Sequence, residues 1–157
     1  MKTLHDMADV IAGYSGLSRQ AMEYGRISKT LFDAAKFPDF TQDHWDELGA
    51  LIDVANFERV GNFKEVMDWP SYRDFLHGWA PAADWDCSFK RVTEKGNVVM
   101  LELEERTTMS GVSNAVNSLS VYEFNETGKI RRLDIYLQMA LPDPAMLVGY
   151  ADVNITG

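Results

Sequence analysis

AVNSLSVYEFNETGKIRRLDIYLQM, residues 115–139, is the stretch from which the fold is read. Ala115 to Phe124 alternates along the chain, with Ser118, Ser120 and Tyr122 on one face and Asn117, Leu119 and Val121 on the other. Asn125-Glu126-Thr127-Gly128 has the composition of a hairpin turn, with glycine where a positive φ is needed. Lys129 to Met139 returns as a second strand, with Leu133, Ile135 and Leu137 making an apolar face opposite Asp134, Tyr136 and Gln138.

Upstream, the same period of two continues. Asp84 to Glu94 (DWDCSFKRVTE) and Val98 to Met109 (VVMLELEERTTM) flank a Lys95-Gly96-Asn97 turn, and Ser110 to Asn114 turns the chain into the hairpin. We read Leu101 and Leu103 as inward, which leaves Glu102 and Glu104 solvated. The opposite register would bury those glutamates as acid–base candidates. Pro142 and Pro144 stop the sheet, so 141–157 is expected to be a tail that wraps the surface or contacts another subunit.

The first half has helical period. Ser18 caps a helix through Met22, Ile27, Leu31 and Ala35 that Pro38 ends, and Thr3 to Tyr14 forms a further short helix. Thr41 caps a second helix carrying Trp45, Leu48, Leu51 and Ile52, with Asp43 and Asp46 at the positive end of its dipole. Val54 to Gly61 is a strand, Asn62 to Asp68 a loop, and Pro70 opens a helix carrying Tyr72, Phe75 and Leu76 to about Gly78. The chain is expected to be a single α+β domain over 1–157. A helical extension covers 1–25, and the core over 26–140 is a curved antiparallel sheet of four or five strands, a cone around N-terminal helices enclosing one apolar pocket.

A formal net charge of −9 argues against a nucleic-acid surface, which needs clustered Lys and Arg. Cys87, the only cysteine, permits no intrachain disulfide, and neither a leader nor a membrane span of about 18 apolar residues is visible, so a cytoplasmic protein without membrane partners is expected. His5, His44 and His77 lack metal-ligand spacing, and no phosphate loop, nucleotide fingerprint or nucleophile elbow is present; no metal and no cofactor are expected. Trp69, Tyr72, Phe75, Trp79 and Trp85 crowd one segment, either as core or as a rim that clamps an apolar ligand.

Together, the element order, Asp33 near the end of the long helix, Trp45-Asp46-x-Leu48, and the hairpin 121–130 followed by Asp134-x-Tyr136 resemble the nuclear transport factor 2-like superfamily. That superfamily includes ketosteroid isomerases, scytalone dehydratase and SnoaL-type cyclases, and the resemblance covers roughly 27–139. It implies a homodimer or homotrimer through the outer sheet face, around Leu119 and Val121.

The resemblance puts Arg59 where ketosteroid isomerases carry a carboxylate base, and Ser120 where they carry an oxyanion-hole aspartate. Arginine cannot act as a base at neutral pH but holds an oxyanion or phenolate; a surface salt bridge is the alternative for it. Asp33 resembles the helix carboxylate of scytalone dehydratase, and with Lys29 it is either an exposed i,i+4 pair or a buried acid–base pair. Tyr122 is a hydrogen-bond donor or packing, and His77 a general acid or base near the pocket mouth. The expected catalytic set is Arg59, Asp33, Lys29 and Tyr122, with Phe57, Trp69, Tyr72, Trp79, Ser120, Leu133 and Leu137 binding substrate.

The expected function is a cofactor-independent lyase or dehydratase on a small hydrophobic aromatic molecule. By resemblance, one such reaction is the removal of formaldehyde from a lignin-derived diarylpropane diol. An isomerase or hydrolase of a polycyclic or terpenoid substrate, and a non-catalytic ligand-binding module, are the alternatives.

Overall fold

In the computed structural model, residues 4–140 are described; the 141–157 tail, with its expected wrap or subunit contact, lies outside them. The elements, in order, are β1 His5–Asp6, α1 Met7–Ile11, α2 Gly16–Ala34, a 3-10 turn Gln42–Trp45 running into α3 Asp46–Gly49, β2 Glu58–Val60, β3 Val66–Met67, α4 Trp69–Trp79, a 3-10 turn Ala80–Ala82, β4 Ala83–Lys95, β5 Val98–Met109, β6 Val112–Phe124 and β7 Ile130–Met139. The strands form one curved, unclosed sheet of seven, ordered β1-β4-β5-β6-β7-β2-β3. Every pairing is antiparallel except β2 with β7, which is parallel.

The long hairpins turn at left-handed positions, one of which, in the β5–β6 turn, is the non-glycine Ser110 (φ +51°). Gly96 (φ +61°) and Gly128 (φ +77°) supply those of the β4–β5 and β6–β7 turns. Asn125 Oδ1 accepts from the backbone N–H groups of Thr127 and Lys129, fixing the β6–β7 turn. Beyond each turn, alternation buries one face. Leu101, Leu103, Ser118, Ser120, Tyr122 and Leu133 are nearly inaccessible; on this side α2 packs against β4 and β5, and α4 against β2 and β3.

The helical half departs from the expectation at its ends. The long helix begins at Gly16 with Ser15 as N-cap, not at Ser18. Ser18 instead gives its N–H and its hydroxyl to Glu94 Oε1 of β4, at 2.8 and 2.7 Å, so a sheet carboxylate serves the positive end of the helix. Of the helix expected over 3–14, the described residues are helical only over Met7–Ile11, because His5 and Asp6 pair with Phe89 and Ser88 at the sheet edge. Thr41 does cap the next element, and His44 takes the place of the usual glutamate: the Thr41 N–H donates to His44 Nδ1 at 3.0 Å. The strand over 54–61 contracts to Glu58–Val60, since Asn56 closes a turn onto the carbonyl of Asp53 and leaves Ala55 exposed. The 62–68 loop contains β3, which pairs back onto β2.

Candidate functional site

Because Arg59 is in register with Leu133, and Leu133 with Tyr122, these three form one row across the inner face of the sheet. Arg59 therefore points at the helices, and its guanidinium carbon lies 4.7 Å from the centre of the Tyr72 ring, a cation–π contact. The Tyr72 hydroxyl is 3.4 Å from that of Tyr24, whose ring meets Tyr122 edge-on at 5.6 Å. Phe57 and Trp69 complete the wall, at 6.3 and 6.4 Å from Tyr72. Arg59 Nε is buried with no hydrogen-bond partner.

The electrostatics follow from burial. Burial first, then the phenols of Tyr72 and Tyr122 and the hydrogen bond with Tyr72, hold Tyr24 well above the ordinary phenol range, against the pull of Arg59. Burial, then Glu105, raise Tyr122, while a hydrogen bond from Ser120 works the other way. Burial works against the Arg59 charge, but Tyr72, Tyr24 and Glu65 outweigh it and leave the guanidinium above its ordinary range. Tyr24 and Tyr122 are protonated at neutral pH, so apart from one carboxylate, Glu65, Arg59 faces rings and hydroxyl dipoles. A cation with one unanswered N–H among neutral donors suits an incoming oxygen anion.

One carboxylate competes for it. Glu65 Oε1 stands 3.8 Å from Arg59 Nη1, and its other oxygen accepts from the Phe63 N–H at 2.9 Å. Gly61 permits this, since a Cβ there would lie 1.7 Å from Glu65 Oε1.

The structure thus gathers Arg59, Tyr122, Phe57, Trp69, Tyr72, Ser120 and Leu133 on one interior. Leu137 shares the inner row further along β7, half-buried. Trp79 packs on Phe32 at 5.2 Å, which also holds Trp85 at 5.4 Å, so these rings belong to the core of the helix side. Lys29 and Asp33 are not with them. They pair at 2.9 Å on the outside of α2, with 39% and 52% of their side chains exposed, so the exposed-pair alternative is the one observed. His77 accepts from Trp45 Nε1–H at 3.2 Å and is stacked on Phe40. Glu102 points outward and pairs with Arg91, and Glu104 with Arg106, as the inward Leu101 and Leu103 require.

The sequence reading missed Glu105 and Cys87. Both lie on the inner face, directly paired across β4 and β5, and Trp85 Nε1–H donates to Glu105 Oε1 at 2.9 Å. The signal was there: the parity that turns Leu101 and Leu103 inward turns Glu105 inward as well. Burial, then Glu105 and Asp86, push the Cys87 thiol up to about 12, so it is a protonated thiol at neutral pH and no nucleophile. Two clefts lie elsewhere. One of about 890 Å³ is lined by Glu58, Glu123, Asn125 and Arg132 among others, and one of about 280 Å³ by Lys90, Glu102, Asn117 and Tyr136 among others. Among the described residues no three His, Cys, Asp or Glu side chains gather as metal ligands do, and no helix is long and apolar enough to cross a membrane.

Solved structures share this arrangement of helices over a curved sheet. An NTF-2 like protein of unknown function from Pseudomonas aeruginosa matches with a TM-score of 0.57 at 14% identity, over 76% of this chain and 98% of its own. The fold is NTF2-like. Two further neighbours are an LEH-like epoxide hydrolase from M. tuberculosis (TM-score 0.54, 12% identity, 71% of this chain and 83% of that one) and a putative ketosteroid isomerase from Kribbella flavida (0.50, 17%, 76% and 83%). At such identities the likeness is one of fold. No family model and no curated protein matches the chain by sequence.

Proposed function

We propose that this NTF2-like chain is a cofactor-independent acid–base enzyme, of the lyase or dehydratase type, acting on a small hydrophobic aromatic molecule that bears a phenolic or carbonyl oxygen. The observation that carries this is the inward Arg59, its guanidinium over the Tyr72 ring and its buried Nε unpartnered. Its role is to hold the oxygen on which negative charge collects, with Tyr24 and Tyr72 as neighbouring donors and Phe57, Trp69 and Leu133 against the ring. Deformylation of a lignin-derived diarylpropane diol has this form. Water leaves to give a quinone methide, the hydroxymethyl carbon departs as formaldehyde, and the electron pair returns to the ring as a phenolate opposite Arg59. Lys29 and Asp33, on the outside of α2, take no part.

The test is a panel of diaryl and polycyclic compounds, each as free phenol and as methyl ether, assayed without added cofactor for conversion and thermal shift. A phenol at a hundredfold excess over its Kd is expected to raise Tm by roughly 5–10 °C. Arg59→Gln removes that shift, and the ethers bind at least about tenfold more weakly. If no compound is converted and none raises Tm, the small-molecule reading fails.

Glu65→Gln removes the competing charge and is expected to tighten phenolate binding by about two- to fivefold, measured by calorimetry. A second reading, a binding module without chemistry, is favoured by how closely aromatic and aliphatic side chains fill the interior. Binding without conversion across the panel would select it. The homodimer or homotrimer belongs to the same proposal, through the outer sheet face where Tyr136 is exposed beside half-buried Leu119 and Val121.

A further inference from the structure

A second polar centre stands on the inner face, apart from Arg59. Glu105 pairs with Cys87 on one side and Val116 on the other, and Ser118 pairs with Leu103, so Ser118 and Glu105 are diagonal neighbours on one face. Trp85 is the only hydrogen-bond partner of Glu105 among the described residues and engages one oxygen. Ser118, 4% exposed, has a buried Oγ with no partner. Ser118 Oγ is thus a buried polar atom left unanswered, diagonal to a half-buried carboxylate that has one oxygen committed to Trp85 and the other open to an incoming polar group. Tyr122 follows Ser118 and Ser120 on the same face of β6 and stands in the row of Leu133 and Arg59, so the two centres share one surface.

We propose that Glu105 is the proton-transferring carboxylate of the site, acting on a substrate hydroxyl that Ser118 orients, with Trp85 as a positioning residue that fixes the carboxylate. This rests on the interior being the catalytic site proposed above. It also narrows the substrate to an elongated aromatic molecule, with one oxygen held by Arg59 and an aliphatic hydroxyl reaching Glu105. In the step, once water has left from the carbon next to the ring to give the quinone methide, Glu105 takes the proton of the remaining hydroxyl and the O–H pair becomes the C=O of the leaving carbonyl fragment. The C–C pair then moves toward the ring and ends on the oxygen at Arg59. The proton on Glu105 passes to that oxygen or to solvent, restoring the carboxylate.

Glu105→Gln keeps the acceptor for Trp85 and the side-chain volume. It is expected to lower kcat by about a hundredfold or more, to leave the ligand-induced Tm shift unchanged, and to abolish the acidic limb of the pH–rate profile. Ser118→Ala removes a hydroxyl that bonds nothing in the fold, so stability holds while kcat falls about tenfold. If Glu105→Gln does not fold, Ser118→Ala decides, and a wild-type kcat there overturns the proposal. Wild-type turnover and pH dependence in Glu105→Gln overturn the role of Glu105 alone. Binding of the panel without turnover by the native protein overturns proton transfer and leaves a binding module. Absence of both binding and turnover removes the reading of the interior, and this inference with it.

Discussion

Trp45→Ala is expected to lower the free energy of unfolding by about 3–5 kcal/mol and Tm by roughly 10 °C. Trp45 is wholly inaccessible, at 0% exposure, and its ring meets Phe32 of α2 at 6.0 Å and Phe40 at 5.2 Å. Its N–H is given to His77 Nδ1 of α4 at 3.2 Å, so one side chain joins both covering helices through the short segment between them. Truncation leaves a cavity that close-packed neighbours fill only in part, and it strips His77 of its donor. Trp45→Phe separates these terms, since it keeps most of the ring and loses the hydrogen bond, for a cost of about 1–2 kcal/mol. Urea unfolding of both variants measures the difference. A Trp45→Ala protein within about 1 kcal/mol of the native one would show that the two helices are not joined there.

What was legible in the sequence is what repeats. The strand read over 98–109 is Val98–Met109, and the arms on either side agree within a few residues, because alternation is enforced by a face that must be buried at every second residue. The same logic separates Lys29 and Asp33 from the site. The buried stripe of α2 runs through Ile27, Ser28, Leu31 and Phe32, and residues 29 and 33 fall beside it. Glu105 is legible by parity, since it follows Leu101 and Leu103 at the same spacing of two.

Other features carry no local signal. His5–Asp6 and Val66–Met67 are strands of two residues, too short for any period, and they exist because a neighbouring edge has free backbone groups. The parallel joining of β2 to β7 sets Arg59 beside Leu133 from far along the chain. The Trp45–His77 hydrogen bond and the Tyr24–Tyr72 contact likewise depend on how helices meet, which residue order alone does not specify. The resemblance supplied Arg59 as a position of interest. Only the register of β2 with β7 shows which way it faces.

The interior that Arg59 and Glu105 share also sets how the protein meets alkali. Cys87 is pushed up from 9.0 to about 12, by burial first and then by Glu105 and Asp86, while Tyr24 and Tyr122 are raised above 10.0 by burial before anything else. Below pH 9 the folded and unfolded chains hold the same protons on these groups, and their contribution to stability is constant. Above it the unfolded chain releases the thiol proton, and from about pH 10 the phenol protons, which the folded chain retains. The unfolded state then binds fewer protons, so stability falls with rising pH by about 1.4 kcal/mol per pH unit for each such group. The thiol alone contributes a loss of about 4 kcal/mol by pH 12. Denaturant unfolding between pH 8 and pH 11 is therefore expected to show a steep alkaline limb whose first part, from pH 9 to about pH 10, belongs to Cys87. Cys87→Ala, at a cost of about 1 kcal/mol near pH 7, should flatten that first part. Tyr122→Phe should flatten only the part above about pH 10. An unaltered limb in Cys87→Ala would mean that the thiol is not held protonated in the fold, and that the inner face around Glu105 admits water more freely than its packing indicates.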